Sequence, residues 1–314
     1  MRAHLKIVLL LMGAILTACQ SRSGLLPKSG GRPYEVLLTG DQDSIVYQML
    51  TTDVEALPQP EPSFDVSTTS ATTLNTITQS ARNIVMLSID STVYSQVRLK
   101  MERNVYASPQ LILHIYAPSI SALRAKQDLL GRKVRDILLQ NEMENTVAQL
   151  KTHRNVKMEK MLQHRLGITI WIPADMTASK WGRNFVWLSN NTTSGMQSIC
   201  IYTLPQKIIK KNITSEVFTH IRDSVMRENI KGETDSMYMQ TVTESLIFRQ
   251  FIRGLWTMKG DAMGGPFVCR IKTDSIHQRL IIAEAFVYAP ETKKRNLIRQ
   301  SEAVLFTLKT KATN

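Results

Sequence analysis

The sequence predicts an α+β fold: antiparallel sheets with helices packed on one face. Three observations carry that expectation. Strand-like runs follow one another near residues 241–247, 249–258, 267–273 and 279–288. Helical patterns fall in separate blocks, at about 119–166, 214–229 and 291–309. A strand–aromatic–proline–helix junction recurs, in His114-Ile-Tyr-Ala-Pro118, in Phe286-Val-Tyr-Ala-Pro290 and more loosely in Ile201-Tyr-Thr-Leu-Pro205. Proline suits this junction because its missing N–H is harmless in a first helical turn. The recurrence leaves open a duplication into two similar halves dividing near 165–205, with chance as the alternative. No linker or composition shift marks that boundary.

Residues 1–18 read as an address rather than as fold. Arg2 and Lys6 form a short basic region, and Ile7 to Leu16 is an apolar run too short to span a bilayer comfortably. Leu16-Thr17-Ala18-Cys19 has the form of a bacterial lipobox: small residues before the cut and a thiol to carry diacylglycerol. Acylation at Cys19 anchors a protein stably to a membrane. Gln20 is not the Asp that commonly retains lipoproteins at the inner membrane, and no acidic run follows Cys19. The expected place is therefore the outer membrane, facing the periplasm. Residues 19–33, rich in Ser, Gly and Pro, read as a flexible tether, and residues 34–314 as the body.

Along the body, Tyr34–Thr39 reads as a strand. Asp41–Ala56 reads as a helix, with Ile45, Val46, Met49 and Leu50 at helical spacing. A proline-rich turn at 58–62 leads to a short extended piece at Phe64–Ser67 and a weak, Thr-rich helix at Ala71–Ser80. Asn83–Ile89 is a buried strand. Gln96–Tyr106 is an exposed one, because Val97, Leu99 and Met101 alternate with charged residues. Leu111–Ala117 is another strand. The helical tract after Ser119 is expected to break near Asn141 and stop at Gly167. Ile168–Ile172 returns as a strand, and 184–189 pairs with 197–204 around the turn Asn190–Gly195.

Composition narrows the function classes. The 314 residues suffice for one large domain or two small ones. With 43% hydrophobic and 21% charged residues, the chain is globular rather than disordered. Three cysteines exclude a disulfide scaffold or a Cys-rich metal domain. Two of them, Cys200 and Cys269, lie in strand-like runs and read as small core residues, although the compartment permits a disulfide. The net charge is +13, which falls to +11 without Arg2 and Lys6. No nucleic-acid recognition motif accompanies it. No metal or cofactor is expected. There is no Gly-x-Ser-x-Gly elbow, His-Glu-x-x-His or phosphate loop.

Several segments together resemble a Bacteroidetes lipoprotein family, domain of unknown function 4837. They are the lipobox, Leu25-Leu-Pro27, Gly31-Arg-Pro-Tyr-Glu-Val36, Phe185-Val-Trp-Leu188, the stretch from Gly254 to Phe267, Phe286-Val-Tyr-Ala-Pro290 and Lys294-Arg-Asn-Leu-Ile298. The stretch Gly254-Leu-Trp-Thr-Met-Lys-Gly-Asp-Ala-Met-Gly-Gly-Pro-Phe267 is the most specific. The resemblance implies the compartment and a single full-length unit. It implies no mechanism.

Four groups of residues are candidates for function. Lys259 and Asp261 lie in a Gly-rich connection that reads as a hairpin or a binding loop. Trp181, Arg183, Trp187 and Trp256 are candidates for a ligand surface; exposed Trp faces stack on sugars, whereas buried ones are core. His153, Lys157, Lys160 and His164 form one stripe if their helix is unbroken, either a solvated face or a contact for anions, and not a metal site. Asp-Ser followed by an apolar residue or Thr, at Ser44, Ser91, Ser224, Ser236 and Ser275, occurs more often than composition predicts. That pattern resembles the O-glycosylation acceptor of exported proteins in the same bacterial group, and it is also a good turn or cap pair.

The best expectation is a lipid-anchored envelope protein that binds a protein, glycan or lipid. The alternative is an envelope hydrolase or transferase using Asp261 or Glu284.

Overall fold

The structure, a computed structural model, describes residues 26–69, 74–208, 213–243, 245–248 and 250–310. Cys19, the signal segment, the first part of the tether and residues 71–73 of the expected helix lie outside these; over 74–80 the chain forms only a short 3-10 turn, at Thr78–Ser80, in place of that helix. The chain forms two compact units: residues up to Val46 with Val66–Gln127, and Tyr47–Asp65 with Asp128 onward. The division at residue 127 is earlier than the expected 165–205.

The first unit contains β1 (Glu35–Thr39), the start of α1 (Ile45–Leu50), most of β2 (Asp65–Thr69), β3 (Asn83–Ile89), β4 (Arg98–Arg103), β5 (Leu111–Ala117) and α2 (Ile120–Ala125). Its sheet runs β2-β1-β3-β5-β4. β1 pairs with β3 and β3 with β5 in parallel, and β4 lies antiparallel to β5. This corrects the antiparallel expectation for the first sheet. The reason is visible in the residues: Ile84, Val85, Leu87 and Leu111, Ile112, Leu113, Ile115 are all buried, the near-continuous apolar run of a strand covered on both faces. β4 is an exposed edge strand with no buried residue, but its burial does not alternate as expected: Met101 is exposed and Glu102 half-buried. Ser119 caps α2 by accepting from the Ala122 N–H. The tether reading does not extend over residues 27–30: Pro27 O accepts from Ser108 N, Ser29 N donates to Ser108 O, and Gly30 N to Ser80 O.

The second unit contains the remaining elements. They are α3 (Gln127–Leu150), α4 (Val156–Leu166), β6 (Ile168–Thr169), β7 (Ala178–Trp181), β8 (Phe185–Ser189), β9 (Met196–Pro205), α5 (Ser215–Asn229), β10 (Met239–Thr241), β11 (Leu246–Phe248), β12 (Phe251–Met258), β13 (Gly264–Asp274), β14 (Arg279–Tyr288), α6 (Arg295–Phe306) and β15 (Lys309–Thr310). The expected helical tract breaks at Lys126 and at 151–155 rather than at Asn141, which sits buried inside α3. Asn155 starts α4 by accepting from Met158 N, and Gly167, at φ +65°, ends it.

Eight strands form an antiparallel sheet: β10-β12-β13-β14-β9-β8-β7 in order, with β11 also on β12. Alternation divides its side chains cleanly. Val186, Leu188, Ile199, Ile201, Val268, Ile281, Ala283, Ala285 and Val287 point to one face and pack with α4 and α6. Phe185, Cys200, Tyr202, Trp256, Phe267, Cys269, Ile282 and Phe286 point to the other and pack with α5. This sheet is covered on both faces, not one as expected, because its strands are apolar on both sides.

The two units share the α+β class and not a topology. One sheet is mixed and five-stranded, the other antiparallel and eight-stranded. The recurring strand–proline junction therefore marks no duplication: β5, which leads to α2, has a parallel neighbour, whereas both neighbours of β14 are antiparallel.

Candidate functional site

A cavity of about 520 Å³ opens on the α5 face of the large sheet. That is within the size range of small-molecule sites. Trp187 from β8, Trp256 from β12 and Phe286 from β14 form its aromatic part, with Phe286 between the two indoles. The ring centroids are 6.3 Å apart for Trp187–Phe286 and 5.2 Å for Trp256–Phe286. Met196, Met239, Met258 and Met263 complete the apolar wall. Lys180, Lys231, Glu233 and Asp261 supply charges of both signs.

Two polar atoms stand out. The indole Nε1 atoms of Trp187 and Trp256 are buried and have no hydrogen-bond partner. Buried Trp N–H groups usually find one. Leaving such a donor unpaired costs about 1–3 kcal/mol. Trp256 is only 2% exposed.

The Gly-rich stretch builds the wall behind these rings. It is the β12–β13 hairpin, with Trp256 opposite Gly265 and Gly254 opposite Phe267. A Cβ on Gly254 would sit 2.6 Å from the Phe267 ring, and one on Gly265 would sit 2.1 Å from the Val287 carbonyl oxygen. Gly260 turns the chain at φ +82°. The glycines therefore serve close packing, as the hairpin reading anticipates.

Of the six candidate ligand residues, the cavity brings together Trp187, Trp256 and Asp261. Trp181 is half-buried against the opposite core, with the Arg165 guanidinium 4.6 Å above its ring. Arg183 is exposed, and the Lys259 ammonium lies over Tyr238. No flat, exposed Trp platform exists among these residues. The four methionines went unnoticed in sequence because they come from separate segments with no shared period. The His153 stripe is also interrupted: His153 lies in the turn before α4, so only Lys157, Lys160 and His164 share the helix.

Glu284 is not a candidate acid. It is fully buried, as is Arg222 of α5, and the two form a salt bridge at 2.7 Å. The Arg222 guanidinium also lies 3.9 Å from the Phe267 ring centroid and donates to Thr241 Oγ1. Burial works against the Arg222 charge, and the Glu284 carboxylate outweighs it, so the arginine stays protonated. Cys269 Sγ donates to Glu284 at 3.2 Å. Cys200 and Cys269 are both free. They sit opposite Glu284 on the strands either side of it, two strand spacings apart, too far for a disulfide. Burial, with the nearby Glu284 charge, pushes both thiols well up, so neither is a ready nucleophile.

The first unit has a cavity of its own, about 720 Å³, at the carboxyl ends of β1 and β3. Its wall is mixed, with Thr39, Asp41, Ser88 and Asp90 beside Leu38, Met86 and Ile120. Local turns occupy the carboxylates: Asp41 Oδ1 accepts from Ile45 N and Asp90 Oδ1 from Thr92. Asp90, the acid of the Asp90-Ser91 pair, thus serves as a turn former. All five candidate serines, Ser44, Ser91, Ser224, Ser236 and Ser275, are exposed.

Comparison with known proteins also divides the chain in two, but at residues 151–155 rather than 127, so that α3 and residues 47–65 fall in the first match although they pack in the second unit. No curated protein matches the sequence. Residues 29–151 match a domain of unknown function, DUF8532, so the expected single full-length unit is corrected to two consecutive matches. The second match begins just after the turn between α3 and α4, and Phe185–Leu188, the Gly254–Phe267 hairpin and Phe286–Pro290 all fall inside it. Over residues 155–307, which hold the whole lining of the indole cavity, the chain matches the family domain of unknown function, DUF4837.

Proposed function

We propose that this is a lipid-anchored cell-envelope protein, held through Cys19 at the outer membrane and facing the periplasm, that binds a ligand in the cavity of its second unit. The observation that carries the binding reading is the cavity of ligand size, lined mainly by the apolar side chains of Trp187, Trp256, Phe286 and four methionines. The lipobox at Cys19 supports the anchor. Among the described residues no helix is long and apolar enough to cross a membrane. The burial of Trp256 and the Arg165 contact of Trp181 favour an enclosed ligand over a glycan stacked on an open face.

The anchor is tested by metabolic labelling with palmitate. Label is expected on the wild type and absent from Cys19→Ser; label on both would refute it. Binding is tested by thermal unfolding with a panel of muropeptides and acyl lipids. A bound ligand should raise the midpoint by a few degrees, about 1–3 kcal/mol of linkage. Ala178→Trp, which places an indole at the cavity wall, should abolish the rise. Equal behaviour of the two proteins across the panel would refute binding at this cavity.

The exposure of all five Asp-Ser serines favours a second reading, that at least one is O-glycosylated in the native host. Intact mass should then exceed that of the chain and its lipid, and Ser-to-Ala substitution should remove the excess. An unmodified mass would contradict it.

A further inference from the structure

We infer that the open edge of β7 takes up an extended segment of a partner protein. The segment adds a strand to the eight-stranded sheet, sets a large apolar side chain into the second-unit cavity and carries acidic residues beside it. The inference rests on the binding reading above and names the partner's chemistry. Three features of the edge converge on it.

The first is backbone register. β7 ends the sheet, with β8 as its only strand partner among the described residues. Gly182 N donates to Phe185 O at 2.7 Å, so these two residues form a hydrogen-bonded pair. Such pairs recur at every second residue, which makes Lys180–Trp187 and Ala178–Ser189 the next two. The other side of β8 agrees. Thr203 N donates to Asn184 O, so Val186 and Leu188 bond to β9 and Trp187 bonds to β7. Ser179 and Trp181 therefore turn their N–H and C=O groups away from the sheet, where an added strand pairs.

The second is the position of the cavity. Lys180 lies opposite Trp187 and shares its face, as does Ala178, and both line the cavity. Ser179 alternates with them and lies on the side of Trp181, which packs with the opposite core. Ser179 lines the cavity all the same. The cavity thus reaches round the strand edge, to the outward groups of Ser179. Side chains of a strand laid there alternate, and one that points to the α5 face meets the apolar wall. The methionines of that wall adapt to the shape of the side chain.

The third is charge. Lys180 lies in the strand, Arg183 in the turn that follows, and the Arg165 guanidinium over the Trp181 ring. None of the three has a carboxylate partner among the described residues, and residues 178–184 contain no acid. The edge is basic, so acidic residues on the added strand fit it. Glu233 and Asp261 come from other segments, after α5 and in the β12–β13 hairpin, and they disfavour an acid inside the cavity. The apolar side chain belongs inside and the acids at the edge.

Selection of phage-displayed random heptapeptides on the full chain tests this. Enriched sequences should share an aromatic or large aliphatic residue with Asp or Glu beside it, and a synthetic copy should bind saturably in calorimetry. Ser179→Pro removes one outward N–H and spares the β7–β8 ladder, because an open edge tolerates Pro. It should weaken binding by about tenfold. Ala178→Trp, at the cavity wall, should weaken it as well. N-methylation of alternate peptide bonds in the ligand should abolish binding in one register and spare it in the other. That ligand-side contrast holds even if a variant folds poorly. No enriched peptide, or affinity unchanged by Ser179→Pro and by both methylation registers, would overturn strand addition. Enriched sequences without acids would overturn the stated partner chemistry. Concentration-dependent dimers in sedimentation, lost in Ser179→Pro, would assign the edge to a second copy instead. A muropeptide or lipid that binds, blocked by Ala178→Trp, with no peptide enriched, would overturn strand addition and leave the binding reading standing. Failure of every probe would overturn both.

Discussion

The two faces of the eight-stranded sheet are built from the same strands and have opposite characters. The face toward α4 and α6 is mainly aliphatic, with Val, Ile, Leu and Ala at its centre and Arg253 and Arg270 reaching α6 from β12 and β13. The face toward α5 holds the rings of Phe185, Tyr202, Trp256, Phe267 and Phe286, beside a buried ion pair, two thiols and a cavity. One face is optimised for packing. Each face holds buried donors without a partner, Arg270 Nε on one and the two indoles on the other, but the void lies on the α5 face, and a void costs stability. Such costs persist where function requires them. The contrast locates the site better than any motif does.

The strongest way to break the comparison is at the ion pair. Arg222→Met strands the Glu284 carboxylate in a fully buried position, and denaturant unfolding should fall by about 3–5 kcal/mol. A loss below about 1 kcal/mol would mean the pair is not truly desolvated. On the aliphatic face, Leu188→Ala should cost about 2–5 kcal/mol through lost packing alone. Gly254→Ala drives a methyl into the Phe267 ring and should cost about 1–3 kcal/mol by overpacking. Trp187→Phe sharpens the contrast in the other direction. It removes an unsatisfied donor, so stability should change by less than about 1 kcal/mol while ligand affinity falls.

The smallest effect concerns acid. Burial pushes the Asp274 carboxyl up, and hydrogen bonds from Arg279 and His277 outweigh it, holding the group below the usual carboxylate range. Its folded pKa is thus lower than its unfolded one. The stability it contributes is present above the unfolded pKa, about 4, and is lost as pH falls through the folded value. Asp274→Asn should therefore lower stability near neutrality and flatten its decline below pH about 4. An unchanged acid limb in a pH series of urea midpoints would contradict this.

Much of the second unit was legible in the sequence. β8, β9, β12, β13 and β14 announce themselves by apolar strands between Gly, Asn or charged turns, and α5 by its cap at Thr214. β7 was missed because Ala178-Ser-Lys-Trp181 is a short, polar edge strand. The parallel pairing of β1, β3 and β5 was missed although their continuous apolar runs carry its signature. At the site, Trp187, Trp256 and Asp261 were legible as unusual residues in an unusual stretch. Their convergence was not, because it depends on register: Trp256 faces the cavity only because β12 and β13 pair with Trp256 opposite Gly265. Glu284 shows the reverse. A carboxylate in a strand resembles a candidate acid until its cross-element partner Arg222 is seen.

The most direct measurement of the central claim is the set of indole N–H signals in a protein carrying ¹⁵N-labelled tryptophan, assigned with the four Trp→Phe variants. On titration with a ligand that raises the unfolding midpoint, the Trp187 and Trp256 signals should move, because their rings line the cavity, while those of Trp171 and Trp181 stay in place. Unmoved Trp187 and Trp256 signals, or shifts confined to Trp171 and Trp181, would contradict the assignment of this cavity as the binding site.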